Sequence, residues 1–162
     1  MRAPAGRPAW WKGTRGEWWV VGQGVLLAAV ALAPPAWRWA WPAPGVWRFV
    51  GATCALAGAA LAWRAIRELG PNLSPLPAPR HRAVLVRSSV YARARHPIYG
   101  GLIVAAAGWA LWKTSGLHLV LTAVFAAYMA AKAAREERFL LERFPDYAEY
   151  RSKTARFIPG LF

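Results

Sequence analysis

The sequence predicts an all-α, multi-pass integral membrane protein with about four transmembrane helices. Hydrophobic residues make up 57% of the 162 residues, yet the net charge is +14, so apolar and basic stretches must alternate. The chain also carries 11 tryptophans, most of which flank apolar stretches, as in the aromatic belts of membrane proteins. Four apolar blocks stand out, at Trp18 to Ala33, Trp47 to Ile66, Ile98 to Trp112 and Leu117 to Ala131.

The blocks differ in length. A hydrocarbon core about 30 Å thick needs roughly 20 apolar residues, which the second block supplies, whereas the third and fourth need residues from their flanks. Only Lys113 to Gly116 separates those two blocks, which is enough for a tight turn. The sequence therefore predicts a helical hairpin from the third and fourth blocks.

The basic residues predict the orientation. Four precede the first block, seven lie from Arg64 to Arg95 and seven from Lys132 onward, whereas the first connection carries two and the hairpin turn one. By the positive-inside rule, the two termini and the 64 to 96 loop are cytoplasmic. The bias toward Ala, Arg, Gly, Pro and Trp hints at a prokaryote, in which the location would be the cell inner membrane.

The length favours a single domain, residues 1–162, with N-terminal membrane helices in residues 1–68 and the functional half in residues 69–162. Four long apolar blocks argue against a nucleic-acid partner. The single cysteine, Cys54, excludes an intrachain disulfide, and no cluster of metal ligands is present, so no metal is expected. The basic, aromatic N-terminus lacks the pattern of a signal peptide, and we expect it to be retained.

Residues 93–101, RARHPIYGG, place two arginines and a histidine where the third helix begins. Pro97 suits the first helical position, because its missing N–H costs nothing there. Arg93 and Arg95 could simply anchor the helix to lipid phosphates. His96 is a poor anchor, and an ionisable group at membrane depth indicates function by default. Tyr99 and Tyr91 are, taken alone, typical of an aromatic belt.

The fourth helix should continue beyond the bilayer as a C-terminal extension, because no Gly or Pro follows until Pro145. At i, i+4 spacing one face of it carries Tyr128, Lys132, Glu136, Leu140 and Phe144. That face could meet the RARHP stretch.

Two further features have ordinary explanations. Glu136 and Glu137 stand beside Arg135 and Arg138, so a solvated helical face with ion pairs is an open alternative to a site. Gly22 and Gly24 lie within an apolar helix, where helix packing explains them better than a nucleotide loop.

The stretches SSVYARARHPIYGGLIVAAAGWAL and EERFLLERFPDYAEYRSKTARFIP resemble the isoprenylcysteine carboxyl methyltransferase family of integral membrane methyltransferases. The resemblance covers roughly residues 69 to 159 and rests on R-H-P-x-Y-x-G, a later Glu-Glu and F-x-x-Y-x-x-Y, in that order. Phospholipid N-methyltransferases and small-thiol methyltransferases are similar in this half. The resemblance therefore implies methyl transfer more firmly than it implies the acceptor.

The resemblance implies that the cofactor is S-adenosyl-L-methionine (SAM), held at the cytoplasmic end of the hairpin. It implies catalytic roles for Lys132, Glu136 and Arg95, with Lys132 also binding substrate where the prenylcysteine enzymes have an arginine. The implied cofactor-binding residues are Ala83, Val84, Leu85, Val86, Tyr91, His96, Pro97, Ile98, Tyr99 and Glu136. The partners it implies are the lipid bilayer and a lipophilic or small methyl acceptor.

The most similar activity is that of protein-S-isoprenylcysteine O-methyltransferase. A phospholipid N-methyltransferase and a small-thiol S-methyltransferase are the alternatives, and a lipid-binding membrane scaffold is the non-catalytic one. A sulfonium methyl is already activated, so such an enzyme must chiefly align the acceptor and exclude water. The ionisable and aromatic groups near His96 would then serve a charged cofactor entering from water.

Overall fold

The structure is a computed structural model that describes residues 16–40, 43–77 and 83–159. Within these residues it contains helices and no β-strand, which confirms the all-α prediction. The α-helices are α1 (Glu17–Leu32), α2 (Pro44–Leu69), α3 (Pro97–Lys113), α4 (Gly116–Arg143) and α5 (Tyr147–Lys153). Two short 3₁₀ helices, Gly70–Asn72 and Ser89–Ala92, lie between α2 and α3.

Two segments in the described part are long and apolar enough to cross a membrane, Pro44–Asn72 and Gly116–Arg143. Helix α1, with 16 residues, and α3, with 17, are shorter than a typical span. The structure thus supports two of the four predicted spans by length and composition. The four basic residues of the N-terminus, together with Arg80 and Arg82, lie outside the described residues, so the charge pattern behind the predicted orientation is described only in part.

Helices α2 and α3 approach so closely that their backbones touch. A Cβ atom added to Gly58 would lie 2.5 Å from both the Gly101 carbonyl oxygen and the Ala105 nitrogen. Gly51 and Gly108 meet in the same way seven residues along each helix, two turns away. Small residues that let backbones approach are the usual device of helix pairs in lipid, where no hydrophobic effect drives association.

Helix α1 packs on α4 through an aromatic contact. The Tyr128 hydroxyl donates to the Trp19 carbonyl at 3.1 Å, and the two rings lie 5.0 Å apart. Gly22 makes room for the Tyr128 ring, which any side chain there would displace. The prediction that this glycine serves helix packing is confirmed, whereas for Gly24 it is wrong, because nothing lies within 4 Å of a Cβ at that position.

The predicted turn between α3 and α4 is confirmed. Helix α3 ends at Lys113, and Ser115 caps the N-terminus of α4 by accepting from the His118 N–H. The Ser115 hydroxyl also donates to the Ala36 carbonyl at 2.9 Å and lies 2.8 Å from His118 Nδ1. The connection that precedes α2 is thereby fixed to the tip of the hairpin.

Helix α4 extends without interruption to Arg143, as predicted for the extension beyond the fourth block. After α5, residues 154–158 return to the start of α3, and we refer to them as the C-terminal segment. The backbone N–H of Arg95 donates to the Ala155 carbonyl at 2.9 Å, and that of His96 to the Arg156 carbonyl at 2.8 Å. The RARHP stretch, residues 93–97, is therefore held by backbone hydrogen bonds to the C-terminal segment.

Candidate functional site

A cavity opens where α3 begins, between α4, α5 and the described part of the connector, the segment of residues 73–88 between the two 3₁₀ helices. About 110 Å³ of it is accessible to the centres of water molecules. One water needs about 10–15 Å³ by this measure, so the cavity has room for a ligand far larger than water. Its lining comprises Leu69, Asn72, Ser74, Leu76, Ala83, Val84, Leu85, Val86, Tyr91, Arg95, His96, Ile98, Tyr99, Glu136, Leu140, Phe144, Tyr147 and Tyr150.

Three polar side chains of α3 and α4 meet at this cavity. The Tyr99 hydroxyl donates to Glu136 Oε2 at 2.9 Å, and His96 Nδ1 lies 3.7 Å from the same oxygen. The His96 and Tyr99 rings are nearly parallel, with centroids 5.3 Å apart and planes at 5°. The expected meeting of the RARHP stretch with the Glu136 face of α4 is therefore present in the structure.

Glu137, the neighbour of Glu136, is turned away from the cavity and is only 2% exposed. Its carboxylate accepts from Arg95 Nε at 3.0 Å and lies within 3.5 Å of guanidinium nitrogens of Arg151 and Arg156. His96 Nε2 lies 3.4 Å from it. For Glu137, the interpretation as part of a solvated helical face is wrong, because its carboxylate is buried. It joins α4 to the start of α3, to α5 and to the C-terminal segment.

Arg95 lines the cavity, but its hydrogen bonds point to the protein itself. Besides the bond to Glu137, its Nη1 donates to the Arg151 carbonyl at 2.8 Å and to the Thr154 carbonyl. A guanidinium has five N–H donors, and these three contacts use its Nε and Nη1 groups to join α4, α5 and the C-terminal segment. The structure thus gives Arg95 a positioning contact, and its predicted catalytic role stays a prediction.

Lys132 lies one helical turn from Glu136 but does not line the cavity. Its side chain is buried, with 1% of the residue exposed, and its ammonium donates to Gln23 Oε1 on α1. The same nitrogen lies 5.3 Å from the centre of the Tyr99 ring. The predicted face of α4 is therefore divided, since Tyr128 and Lys132 meet α1 whereas the residues after them meet the cavity.

The connector contributes one wall of the cavity through residues 83–86, which the resemblance to the methyltransferases had implied as cofactor-binding. The Asn72 side-chain oxygen accepts from the Val84 N–H at 2.9 Å, which ties the end of α2 to residues 83–86. All four residues from Ala83 to Val86 line the cavity, in an irregular backbone. Part of the connector, residues 78–82, lies outside the described residues.

Three tyrosines outside the candidate spans complete the lining. Burial raises the pKa of the Tyr91 and Tyr147 phenols, with the charges of Glu136 and Glu137 as the next causes. Burial also raises the pKa of Tyr150, to about 12. The Tyr150 hydroxyl donates to the Tyr91 carbonyl at 2.5 Å, so α5 is fixed against the 3₁₀ helix that precedes α3.

The Tyr147 hydroxyl differs from these because it is buried and has no hydrogen-bond partner in the described part of the chain. Buried polar atoms usually find a partner, so an unpaired one beside a cavity indicates where a ligand atom would bond. Tyr147 lies within the F-x-x-Y-x-x-Y motif, from which no role was predicted for it. Its three-residue spacing from Phe144 and Tyr150 was the feature of the sequence that could have marked it as a site residue.

Ten of the predicted site residues thus line one cavity, namely Ala83, Val84, Leu85, Val86, Tyr91, Arg95, His96, Ile98, Tyr99 and Glu136. Pro97 is buried as the first residue of α3 and is absent from the lining, as is Lys132. Pro97 fixes the direction of the helix start, which places its neighbours His96 and Ile98 at the cavity. None of these contacts by itself assigns a role to a residue.

Residues 46–147, which include most of α2, all of α3 and α4, and most of the cavity lining, match the phospholipid methyltransferase family. The chain belongs to this family. This family is the one to which proteins like the isoprenylcysteine carboxyl methyltransferases belong. The resemblance inferred from the motifs is therefore confirmed. Helix α1 and the C-terminal segment lie outside the matched residues.

Two curated proteins are similar to this phospholipid methyltransferase family member. The cobalt-zinc-cadmium resistance protein CzcN of Cupriavidus metallidurans is 30% identical over 144 residues, which are 88% of this chain and 62% of that protein. Methanethiol S-methyltransferase 1 of Bradyrhizobium diazoefficiens is 39% identical over 71 residues, 43% of this chain and 24% of that protein. The chain therefore spans less than two thirds of the length of either relative.

The chemistry of the cavity lining in this family member fits SAM, the cofactor that the resemblance implies. The Glu136 side chain is 25% exposed, so its carboxylate can accept from the amino or ribose groups of a ligand. The unpaired Tyr147 hydroxyl supplies a donor, and the rings of Tyr91 and His96 supply flat surfaces for a purine. The apolar remainder of the wall suits a ligand that must be shielded from water.

Proposed function

We propose that the protein is a SAM-dependent methyltransferase whose cavity between α3, α4, α5 and the connector holds SAM. The observation that carries the proposal is the Tyr99 hydroxyl bonded to Glu136 at 2.9 Å, beside the His96 ring, at the wall of a cavity with an unpaired buried hydroxyl. Membership of the phospholipid methyltransferase family supports the same chemistry.

When bound, SAM supplies a methyl group on a positively charged sulfur, which an electron-rich acceptor atom can take without further activation of the donor. The residues of the chain then have three tasks. Glu136 accepts hydrogen bonds from the cofactor, and Tyr99 fixes the carboxylate in place by donating to its other lone pairs. The aromatic and aliphatic wall excludes water, which strengthens these electrostatic contacts and prevents hydrolysis.

Among the acceptors, we propose a small thiol. A methanethiol S-methyltransferase is similar to this chain over 71 residues, which supports that choice. In the described residues no carboxylate pairs with the Lys132 ammonium, whose partner is the neutral Gln23 amide. A positive charge beside Tyr99 favours an acceptor that reacts as an anion, such as a thiolate, and disfavours an amine headgroup that gains positive charge on methylation.

An isoprenylcysteine carboxylate is the second candidate acceptor, because it is also an anion and the site motifs resemble those of the prenylcysteine enzymes. Lys132 is less suited to it than an arginine, because an ammonium lacks the two-pronged fork that matches a carboxylate. A carboxylate acceptor would therefore be oriented less strictly than a thiolate, which needs only a point charge.

We further propose that α1, α2, α3 and α4 all cross the bilayer, with both termini cytoplasmic. The exposed surfaces of α1, α2 and α4 support contact of these helices with lipid, because large apolar side chains such as Val25, Phe49, Leu56 and Val120 are more than half exposed. Such side chains would be covered by lipid. A small or lipophilic acceptor could then enter from the bilayer while SAM enters from water.

Methyl transfer from labelled SAM tests the proposal. The purified protein in lipid nanodiscs is given SAM with methanethiol, a farnesylated cysteine or phosphatidylethanolamine, and label in each product is measured. We expect transfer to methanethiol to be the fastest and to be lost in Glu136→Ala. Thr53→Ala is the matched control, because its hydroxyl bonds only within α2, to the Phe49 carbonyl, and should leave transfer unchanged.

Faster transfer to the farnesylated cysteine or to the lipid would overturn the thiol assignment alone. If no acceptor is labelled and SAM does not bind, the protein is not a methyltransferase, and a lipid-binding scaffold explains the fold better.

A further inference from the structure

Helix α1 contributes a polar residue to the site although it lies outside the residues that match the family. After Glu17 at the start of α1, Gln23 is the polar side chain of an apolar helix, and its amide oxygen accepts from the Lys132 ammonium. Lys132 is 1% exposed. A buried ammonium without an acceptor is strongly unfavourable, so this bond decides where the Lys132 side chain lies.

The position of Gln23 is set by the packing of Tyr128 against the neighbouring Gly22. Because position 22 is a glycine, the Tyr128 ring lies against α1 and its hydroxyl donates to the Trp19 carbonyl at 3.1 Å. Tyr128 and Lys132 are four residues apart on α4 and therefore share a face. The contact of Tyr128 with Gly22 thus places Gln23 opposite Lys132.

Lys132 connects this contact to the cavity through Tyr99. Its nitrogen lies 5.3 Å from the centre of the Tyr99 ring, a distance at which a cation is attracted to an aromatic face. The Tyr99 hydroxyl in turn donates to Glu136 at the cavity wall. Gln23, Lys132, Tyr99 and Glu136 therefore form a continuous series of contacts from α1 to the proposed cofactor site.

We propose that Gln23 is a positioning residue that holds the Lys132 ammonium beside Tyr99, so that α1 determines the preference of the site for a thiolate acceptor. The inference rests on the proposed function. Gln23 acts through Lys132 and does not itself touch the cavity. Because Glu136 is held by Tyr99 and His96 and not by Gln23, SAM binding should depend little on Gln23.

The test compares Gln23→Met, Gln23→Glu and Thr53→Ala with the wild-type protein in nanodiscs. Methionine keeps the volume of glutamine and removes the acceptor oxygen, whereas glutamate keeps an acceptor. For each protein, the Kd for SAM is measured by calorimetry and the KM for methanethiol by label transfer. In Gln23→Met we expect the KM to rise about tenfold, the scale of one hydrogen bond to a charged group, with the Kd for SAM within twofold of wild type.

Gln23→Glu keeps an acceptor for Lys132 but adds a negative charge that offsets the ammonium, so the KM for methanethiol should rise there as well. Thr53→Ala should not change the KM. An unchanged KM in Gln23→Met would overturn the inference, as would a KM and a Kd for SAM that rise together, since that result indicates a merely structural role. If the wild-type protein neither binds SAM nor methylates methanethiol, the proposed function fails, and that outcome is distinct because it does not depend on any Gln23 variant.

Discussion

Glu136 and Glu137 are neighbours in the sequence and have opposite surroundings in the structure. Glu136 faces the cavity, where Tyr99 donates to it and part of its carboxylate remains open. Glu137 is 2% exposed and is surrounded by Arg95, Arg151 and Arg156. Successive residues of an α-helix point about 100° apart, so one helix can bind a ligand with one carboxylate and hold the fold with the next.

The comparison teaches that charge alone does not mark the site. The more heavily paired carboxylate, Glu137, has contacts that are all internal, because they join α4 to the start of α3, to α5 and to the C-terminal segment. Glu136 has fewer partners and more free surface, and this combination leaves hydrogen-bonding capacity for a ligand.

Among the variants, Glu137→Ala should have the largest effect, and that effect is on the stability of the fold. Glu137→Ala leaves Arg95, Arg151 and Arg156 without their shared anion, and removal of one member of a buried ion pair costs about 3–5 kcal/mol. We expect a marked decrease in the free energy of unfolding, measured with denaturant in detergent micelles. An equal decrease in Glu136→Ala would contradict the distinction between the two carboxylates.

Replacing Glu136 should weaken SAM binding and leave the fold stable. Glu136→Gln keeps an acceptor for the Tyr99 hydroxyl but removes the negative charge from the cavity wall. A hydrogen bond to a charged group contributes about 1.5–3 kcal/mol, so the Kd for SAM should rise at least tenfold. Calorimetry measures the Kd, and a melting temperature within a few degrees of wild type shows that the loss is local.

Tyr147 and Tyr150 form a matched pair that sharpens the comparison further. The Tyr147 hydroxyl has no partner in the described residues, so Tyr147→Phe should not destabilise the protein but should raise the Kd for SAM severalfold. The Tyr150 hydroxyl donates to the Tyr91 carbonyl, so Tyr150→Phe should lower the free energy of unfolding by about 1 kcal/mol. Identical effects of the two variants on stability would show that the difference in hydrogen bonding has no consequence.

The smallest effect should be a loss of stability at alkaline pH. Burial raises the pKa of Tyr150 from 10.0 in a free phenol to about 12. Between these values the unfolded chain has released the proton and the folded protein retains it, so stability falls as pH rises through that window. Unfolding midpoints at pH 9, 10 and 11 measure this slope, which should be shallower in Tyr150→Phe; an equal slope would assign the effect to other groups.

Much of this arrangement could be predicted from the sequence, because it follows local rules. The turn at Lys113 to Gly116, Pro97 at the first position of α3 and the long uninterrupted α4 are consequences of turn length and helix propensity. The placement of Glu136 on one face with Leu140 follows from helical period. The motif around His96 predicted the residues of α3 that line the cavity opposite Glu136.

The remaining features depend on contacts between residues far apart in the sequence. Nothing in the spacing of Glu137 shows that Arg151 and Arg156 return to it, and the bond between Gln23 and Lys132 joins residues 109 positions apart. The predicted role of Arg95 likewise gave no indication of its bonds to carbonyl groups near the C-terminus. Tertiary packing decides such pairings, and local pattern does not carry that information.

The most direct test of the central claim, that the cavity beside Glu136, Tyr99 and His96 holds SAM, is a calorimetric titration of the nanodisc-embedded protein with SAM. We predict saturable binding at one site in the wild-type protein and in Thr53→Ala, with competition by S-adenosylhomocysteine. Binding should be at least tenfold weaker in His96→Ala, which removes the ring stacked on Tyr99. Affinity equal to wild type in His96→Ala, or an absence of binding in the wild-type protein, would contradict the assignment.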